Sequence, residues 1–357
     1  MAPVGVEKDA KYALPACGFT APDDKVFAGW KVGDETVQPD ESITVTRDMT
    51  VTAQWKDPVP DIVKYDLVLS GQIGARFYVS LPGEATDYAN ATVSFTVNGV
   101  KTTLPFNGGT FDAATGCYIF PCKVNSIQMA DTITATFTPG NGKDPVTKQT
   151  SIAKYVEYIT ENSSDAKVVN LAKALADYGH FAQIYLSELR GWTLGEGLDH
   201  EIMPSDRVFT QADIEAAKSA VSNYTLTRDF GDSGITKQTF SLNLDSDTGI
   251  NLYLYPGEDV TSVTYTIDGG ESQTASMAGN RYAIRITGIS AHKLSKTYNV
   301  KVTTNKGEMT INVSALSYVR TVLNFANPPT NELNTVVALY YYYKAAVDAI
   351  SDNQEGT

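Results

Sequence analysis

An internal duplication constrains this 357-residue chain more than any other feature. The stretch Leu69–Val79 can be laid beside Leu244–Leu254, which matches Gly74 with Gly249, Phe77 with Leu252 and Tyr78 with Tyr253. Val93–Gly99 then matches Val263–Gly269, each ending in an Asn-Gly or Asp-Gly pair, the strongest short-range hairpin signal. Cys117–Phe120 matches Arg281–Ile284, and Thr132–Phe137 matches Thr297–Val302. Both copies close in helical pattern. Ser151–Ile159 parallels Ser314–Val322, a break follows at Asn162–Ser164 and at Asn327–Thr330, and longer helices are expected from Asp165 to Leu189 and from Asn331 to Ile350. Leu171, Leu175, Tyr178 and Ala182 recur at helical spacing, as do Val336, Leu339, Tyr343 and Ala346. An order of strands followed by two helices, met twice, is the signature of a repeated module.

Strands grouped ahead of helices argue for α+β rather than alternating α/β. The expected fold is therefore multi-domain: a small β module, then two tandem α+β modules, each an antiparallel sheet or sandwich with a helical hairpin packed on it. The expected boundaries are residues 1–57, 62–190 and 225–357, with a connector at 191–224. In the connector, Thr210 with Asp213 makes a capping pattern ahead of good helix formers. Asp57-Pro-Val-Pro-Asp61 reads as a stiff linker.

The first segment has short alternating runs, Glu41–Thr46 and Met49–Trp55, which read as a β-hairpin, with Phe19, Phe27 and Trp30 as bulk for a tiny core. Tyr12-Ala-Leu-Pro15, Phe19-Thr20, Pro22, Lys25-Val-Phe27, Gly29-Trp30, Ile43–Thr46, Asp48 and Thr50–Trp55 resemble the internalin-type B repeat, also called the Listeria–Bacteroides repeat. The resemblance covers about the first 56 residues. It implies a small β-grasp-like module of the kind strung along Gram-positive surface proteins, with a stalk or adhesive role. The family's opening strand and Gly-rich turn have no counterpart before Met1, so the chain is expected to start inside the module. The remainder resembles modules of gut Firmicutes multi-domain surface proteins, some of which bind secreted immunoglobulin.

Composition narrows the partners. The formal net charge is −13, which repels phosphate backbones and anionic membrane surfaces, so nucleic acid is a poor partner. No apolar run reaches the ~18 residues of a membrane span, so no membrane insertion is expected of this segment. No basic stretch followed by an apolar one opens the chain; an export signal and a cell-wall or membrane anchor are expected outside it. Of the three cysteines, Cys117 and Cys122 are five apart, on opposite faces of one expected strand. That spacing disfavours an intrastrand bridge and reads as small buried hydrophobes.

Catalytic and metal patterns are weak. His180, His200 and His292 are the only histidines, and the counterpart of His180 in copy two, within Tyr340–Lys344, carries no imidazole. His200 has carboxylates on both sides in sequence, but adjacent residues do not easily chelate one metal. Asp245-Ser-Asp-Thr-Gly249 could open a calcium loop, yet lacks the twelve-residue spacing and closing Glu, and reads better as a polar turn. Neither a nucleophile elbow nor a phosphate loop is present. The chain is expected to be non-enzymatic and cofactor-free.

Aromatics are the candidate binding residues. Tyr340, Tyr341, Tyr342 and Tyr343 cover every face of one helical turn, so some must point away from a single core. Trp192, in the Gly-flanked stretch Gly191–Gly197, is a second candidate anchor. The alternative is that the tyrosines pack on the sheet and connector and that Trp192 plugs a helix end. The expected function is a monomeric, extracellular, cell-surface adhesin fragment that recognises a host protein or glycoprotein, with immunoglobulin as one candidate. A stalk segment, or a carbohydrate-binding region accessory to a larger secreted enzyme, is the other reading. Because the copies diverge, one copy or the junction between them is expected to carry the function.

Overall fold

The computed structural model describes residues 3–23, 25–68, 73–245 and 248–350. It is multi-domain and β-rich, and its contacts form two compact units, Met1–Asp61 with Ser80–Tyr88, and Ile62–Val79 with Ala89–Thr357.

The first unit holds five short strands, β1 Lys11–Ala13, β2 Val26–Val32, β3 Glu35–Val37, β4 Ser42–Thr44 and β5 Val51–Lys56. The expected hairpin between Glu41–Thr46 and Met49–Trp55 is corrected: β4 pairs with β1, placing Ile43 opposite Tyr12, and β5 pairs with β2, placing Ala53 opposite Trp30. Leu14 and Trp30 are the buried apolar side chains among and beside these five strands, and each short run pairs with the strand that carries or adjoins the bulk it covers. The Trp30 indole donates to the Pro15 carbonyl at 2.7 Å and takes the edge of Phe27 at 5.2 Å. Phe19, expected in that core, is 47% exposed and reaches Trp30 only from outside. Gly29 sits where the β2–β5 register shifts, at φ 140°, and a Cβ there would lie 2.5 Å from Thr36 Cγ2. Only glycine fits that bulge.

The second unit contains both copies. Copy one has β6 Asp61–Val68, β7 Gly74–Ser80, β8 Thr92–Val97, β9 Val100–Pro105, β10 Thr110–Asp112, β11 Cys117–Lys123, β12 Ile133–Thr138 and β13 Val146–Thr150. They form two antiparallel sheets in the orders β10-β11-β7-β6 and β13-β12-β8-β9. The inner faces meet: Phe77 of the first lies 5.3 Å from Phe95 of the second. Helices α1 Ile152–Asn162 and α2 Ala166–Arg190 follow.

The connector supplies α3 Gln211–Ala220. Copy two has β14 Thr227–Asp229, β15 Ile235–Asn243, β16 Gly249–Pro256, β17 Val263–Ile267, β18 Gln273–Thr274, β19 Ser276–Ala278, β20 Arg281–Ile286, β21 Tyr298–Thr304 and β22 Glu308–Val313. Its sheets run β14-β22-β21-β17-β18 and β15-β16-β20-β19. Helices α4 Ala315–Leu323 and α5 Thr330–Ile350 close it. No described helix is long and apolar enough to cross a membrane.

The two Asx-Gly pairs adopt matching left-handed conformations, Asn98-Gly99 at φ 46° and 74° and Asp268-Gly269 at 52° and 72°. In copy one the turn joins β8 directly to β9; in copy two it opens into a longer loop before β18. Helix starts follow their caps. Ser151, Asp165, Thr210 and Ser314 each accept backbone N–H groups from the first turn.

The apolar stripe of α5 differs from expectation. Tyr342 is buried, and Tyr343, expected in the stripe, is half-buried. The reason is the partner: α5 packs on α2 as well as on α4 of its own copy. The two long helices run antiparallel, with Thr335 Oγ1 donating to the Phe181 carbonyl at 3.0 Å and Asn331 donating to Glu188 at 2.8 Å. Tyr178 and Tyr342, each the thirteenth residue of its helix, stack at 5.5 Å with an 8° interplanar angle.

Candidate binding groove

The connector is anchored before it reaches the groove. Gly191 ends α2 in the left-handed conformation, and Trp192 follows. The Arg190 guanidinium lies 4.7 Å above the Trp192 ring and forms a two-pronged pair with Asp245 at 2.7 and 2.6 Å, linking α2 to copy two. His200 packs 5.1 Å from the same indole. Trp192 is therefore half-covered and acts as a wedge between Arg190 and His200.

His180 and His200 are structural fasteners. His200 Nδ1 lies 2.8 Å from Asp131 Oδ2, and the other carboxylate oxygen accepts the Glu201 N–H at 2.9 Å. The carboxylate that meets His200 thus comes from copy one, not from its sequence neighbours. Asn98 adds a bond to the Asp199 carbonyl at 2.7 Å. Buried Gln183 donates to the carbonyls of Ile127 and Glu201 and accepts from the Met203 N–H, and His180 Nδ1 lies 2.8 Å from the Met203 carbonyl. Fully paired buried polar groups of this kind fix one arrangement of the chain.

Beyond Met203 the connector runs over α2 and α5 and leaves a groove of 810 Å³. Its walls come from α1, α2, the connector and α5, and hence from both copies. Val156, Ala174 and Ala345 supply apolar surface, and Lys173, Lys344 and Asp348 supply charge. Phe209 and Tyr341 stack at 5.8 Å, only 9° from parallel. The Arg207 guanidinium lies 5.1 Å from the Phe209 ring and 5.5 Å from that of Tyr341, and donates to Asp213 at 2.8 Å. Tyr341 is held in turn by Asp213, whose carbonyl lies 3.3 Å from its hydroxyl.

Asp177 faces the same groove. Burial pushes its carboxyl up, while the 2.6 Å hydrogen bond from Ser205 and the charge of Arg207 pull it back. The carboxyl of Asp213 is held below its ordinary value, first by the Thr210 backbone N–H and then by the Thr210 hydroxyl. Burial, and then the Asp213 charge, push the Tyr341 hydroxyl up, so it stays a neutral donor.

The four-tyrosine turn is thus divided among three surroundings. Tyr342 is locked against Tyr178. Tyr341 walls the groove, with Tyr340 edge-on to it at 5.2 Å. Tyr343 lies beside Tyr224, whose hydroxyl is pushed up by burial and then by that neighbour. Arg207, Phe209 and Asp177 were not singled out from the sequence. The Arg-x-aromatic spacing in Ser205–Phe209, just ahead of the Thr210 cap, was the one local hint.

Of the Asp245–Gly249 turn, Ser246 and Asp247 lie outside the described residues, and Asp245 is engaged by Arg190. Likewise, 69–72 of the duplicated stretch lie outside them. No group of three His, Cys, Asp or Glu residues placed to hold a metal occurs among the described residues. Cys117 and Cys122 are both buried and free, and burial pushes the Cys122 thiol up to about 12.

No family model matches the chain, and no curated protein matches it. Among solved structures, a chimeric titin Z1Z2-Z1Z2 tandem functionalized with a GRGDS exogenous peptide from fibronectin is aligned over 70% of this chain and 97% of its own, at 11% identity. Its TM-score is 0.16, too low to carry an argument about fold or function.

Proposed function

We propose that this chain is a non-catalytic, extracellular binding fragment of a Gram-positive bacterial surface protein, a β-grasp-like module of the internalin B-repeat type followed by two tandem α+β modules. It recognises a host protein or glycoprotein, with immunoglobulin as the first candidate, and acts as a monomer. One observation carries this reading: the groove is walled by both copies and the connector together, so neither copy has it alone. Arg207 and Tyr341, both lining the groove and both packed on Phe209, form a pre-organised aromatic and guanidinium surface, the side-chain chemistry enriched at binding hot spots. The half-buried Asp177 carboxyl beside it offers an acceptor for a basic side chain of the partner.

The test is surface-immobilised binding of the whole chain to immunoglobulins of several classes, mucin and matrix proteins. Saturable binding that Arg207→Ala or Tyr341→Ala weakens by roughly 30-fold or more, the hot-spot range, supports the groove. A folded chain that binds none of the panel overturns the reading in favour of a stalk segment. Retained binding in both variants moves the site away from the groove.

A further inference from the structure

The outer face of the copy-two sheet β15-β16-β20-β19 stands apart from the rest of this acidic chain. Along β16, Ile250, Leu252 and Leu254 point inward and are buried, so Asn251, Tyr253 and Tyr255 point outward. The register sets Ser241, Thr239 and Lys237 of β15 opposite those three, and Arg285 and Ala283 of β20 opposite Asn251 and Tyr253. Arg281 stands at the start of β20 on the same face. It lies 3.7 Å over the Tyr253 ring and donates to the Tyr255 hydroxyl at 3.3 Å. Lys237 lies 5.2 Å over the Tyr255 ring, and Arg285 donates to the Asn251 side-chain oxygen at 3.1 Å. Lys237, Arg281 and Arg285 thus share one flat surface, and no carboxylate stands on it among the described residues of these strands, in a chain of net charge −13.

Copy one shows what the alternative looks like. There Arg76 occupies the position of Asn251 and is held by Asp66 through bonds of 2.7 and 2.8 Å, while the hydroxyl of Tyr78, the counterpart of Tyr253, also donates to Asp66. Copy one neutralises its own face and copy two does not.

We infer that this face of copy two is a platform for an acidic polysaccharide. Three cations, Lys237 and Arg281 over tyrosine rings and Arg285 on the Asn251 side-chain oxygen, attract sulfate or carboxylate groups. The amide of Asn251 and the hydroxyls of Ser241 and Thr239 offer short polar groups of the kind that bond sugar hydroxyls. An acidic peptide fits less well, because the aliphatic side chains on this face, Ala283 and Ala278, are small and give no pocket for an anchoring residue. The platform shares no residue with the groove, so either reading can fail without the other.

The test is binding of the full chain to dextran sulfate, with neutral dextran and poly-glutamate as comparison probes. Binding to dextran sulfate alone is expected, weakening by about tenfold or more between low and 0.3 M salt as screening shortens the reach of the three cations. The double variant Lys237→Glu/Arg285→Glu changes two exposed side chains and should abolish binding at an unchanged melting temperature, whereas Lys101→Glu in copy one should leave it intact. Tyr341→Ala should also leave it intact, which separates the platform from the groove. No binding to dextran sulfate, undiminished binding by the double variant, or equal binding to poly-glutamate would each overturn the proposal.

Discussion

Tyr178→Phe should make this protein more stable, although it removes a polar group from an ordered site. The Tyr178 ring is 1% exposed and stacked on Tyr342, so the aromatic contact survives the substitution. Among the described residues, its hydroxyl is buried without a partner at hydrogen-bond geometry. Burial pushes that hydroxyl up, and the hydroxyls of Ser126 and Thr248 nearby draw it back only in part. A buried donor left unsatisfied carries a desolvation cost of about 1–3 kcal/mol. Removing it leaves a gap smaller than a water, which forfeits some dispersion contact, so the net gain is about 1–2 kcal/mol. For a unit of this size that is a rise in Tm of roughly 2–8 °C, readable by calorimetry and by the urea midpoint at unchanged slope. Tyr178→Ala, which also deletes the ring, should lose about 3–5 kcal/mol. A Tyr178→Phe variant less stable than the parent would refute the reasoning, since it would mean that the hydroxyl is bonded in solution.

Three further outcomes follow from the geometry. Asp131→Ala removes the carboxylate that meets the His200 ring and leaves the Glu201 N–H without its acceptor, and should cost about 2–4 kcal/mol in denaturant titration while Asp199→Ala, at an exposed position, costs far less. Gly29→Ala forces a Cβ onto Thr36 at φ 140°, and should cost the first unit about 1–3 kcal/mol, seen as earlier proteolysis of residues 1–61. The Asp213 carboxyl has a folded pKa below its unfolded value of about 4, so its stabilisation is complete above that pH and fades as the pH falls through the folded value. Asp213→Asn should therefore lower stability at pH 7 and converge with the parent once the pH has fallen below the folded value; a gap that persists in strong acid would contradict the assignment.

Local pattern made the repeated order of elements legible. The Asn-Gly and Asp-Gly turns, the Ser and Thr caps and the inward alternation of β7 and β16 are all set by residues adjacent in sequence. What was not legible depended on pairing at a distance. The strand partners in the first unit follow the bulk of Trp30 and Leu14, not proximity along the chain. The burial of Tyr342 rather than Tyr343 depends on a second helix 164 residues upstream, which a single helical wheel cannot contain. Of the candidate residues, Tyr341 lies on the groove, Trp192 lies outside it, and Arg207 and Asp177 gain their setting only when α2 and α5 come together. The basic face of copy two was legible in principle. It required the two copies to be compared residue by residue for charge as well as for hydrophobic period, with Asp66–Arg76 giving way to Ser241–Asn251.

The stacked tyrosines occupy equivalent places in their helices and meet across an antiparallel crossing. That pairing resembles an isologous contact, in which one patch meets its own likeness. Here both halves belong to one polypeptide, so the chain is in effect a dimer with its subunits fused. Fusion holds the two patches at millimolar effective concentration whatever the dilution outside. The contact need not be strong enough to survive as a bimolecular one, and sequence drift on either partner is cushioned by the tether. The same fusion frees the two halves from identity. Duplicated surfaces that must match in a homodimer are here able to part company, one turning neutral and the other basic, while the seam between them stays shut.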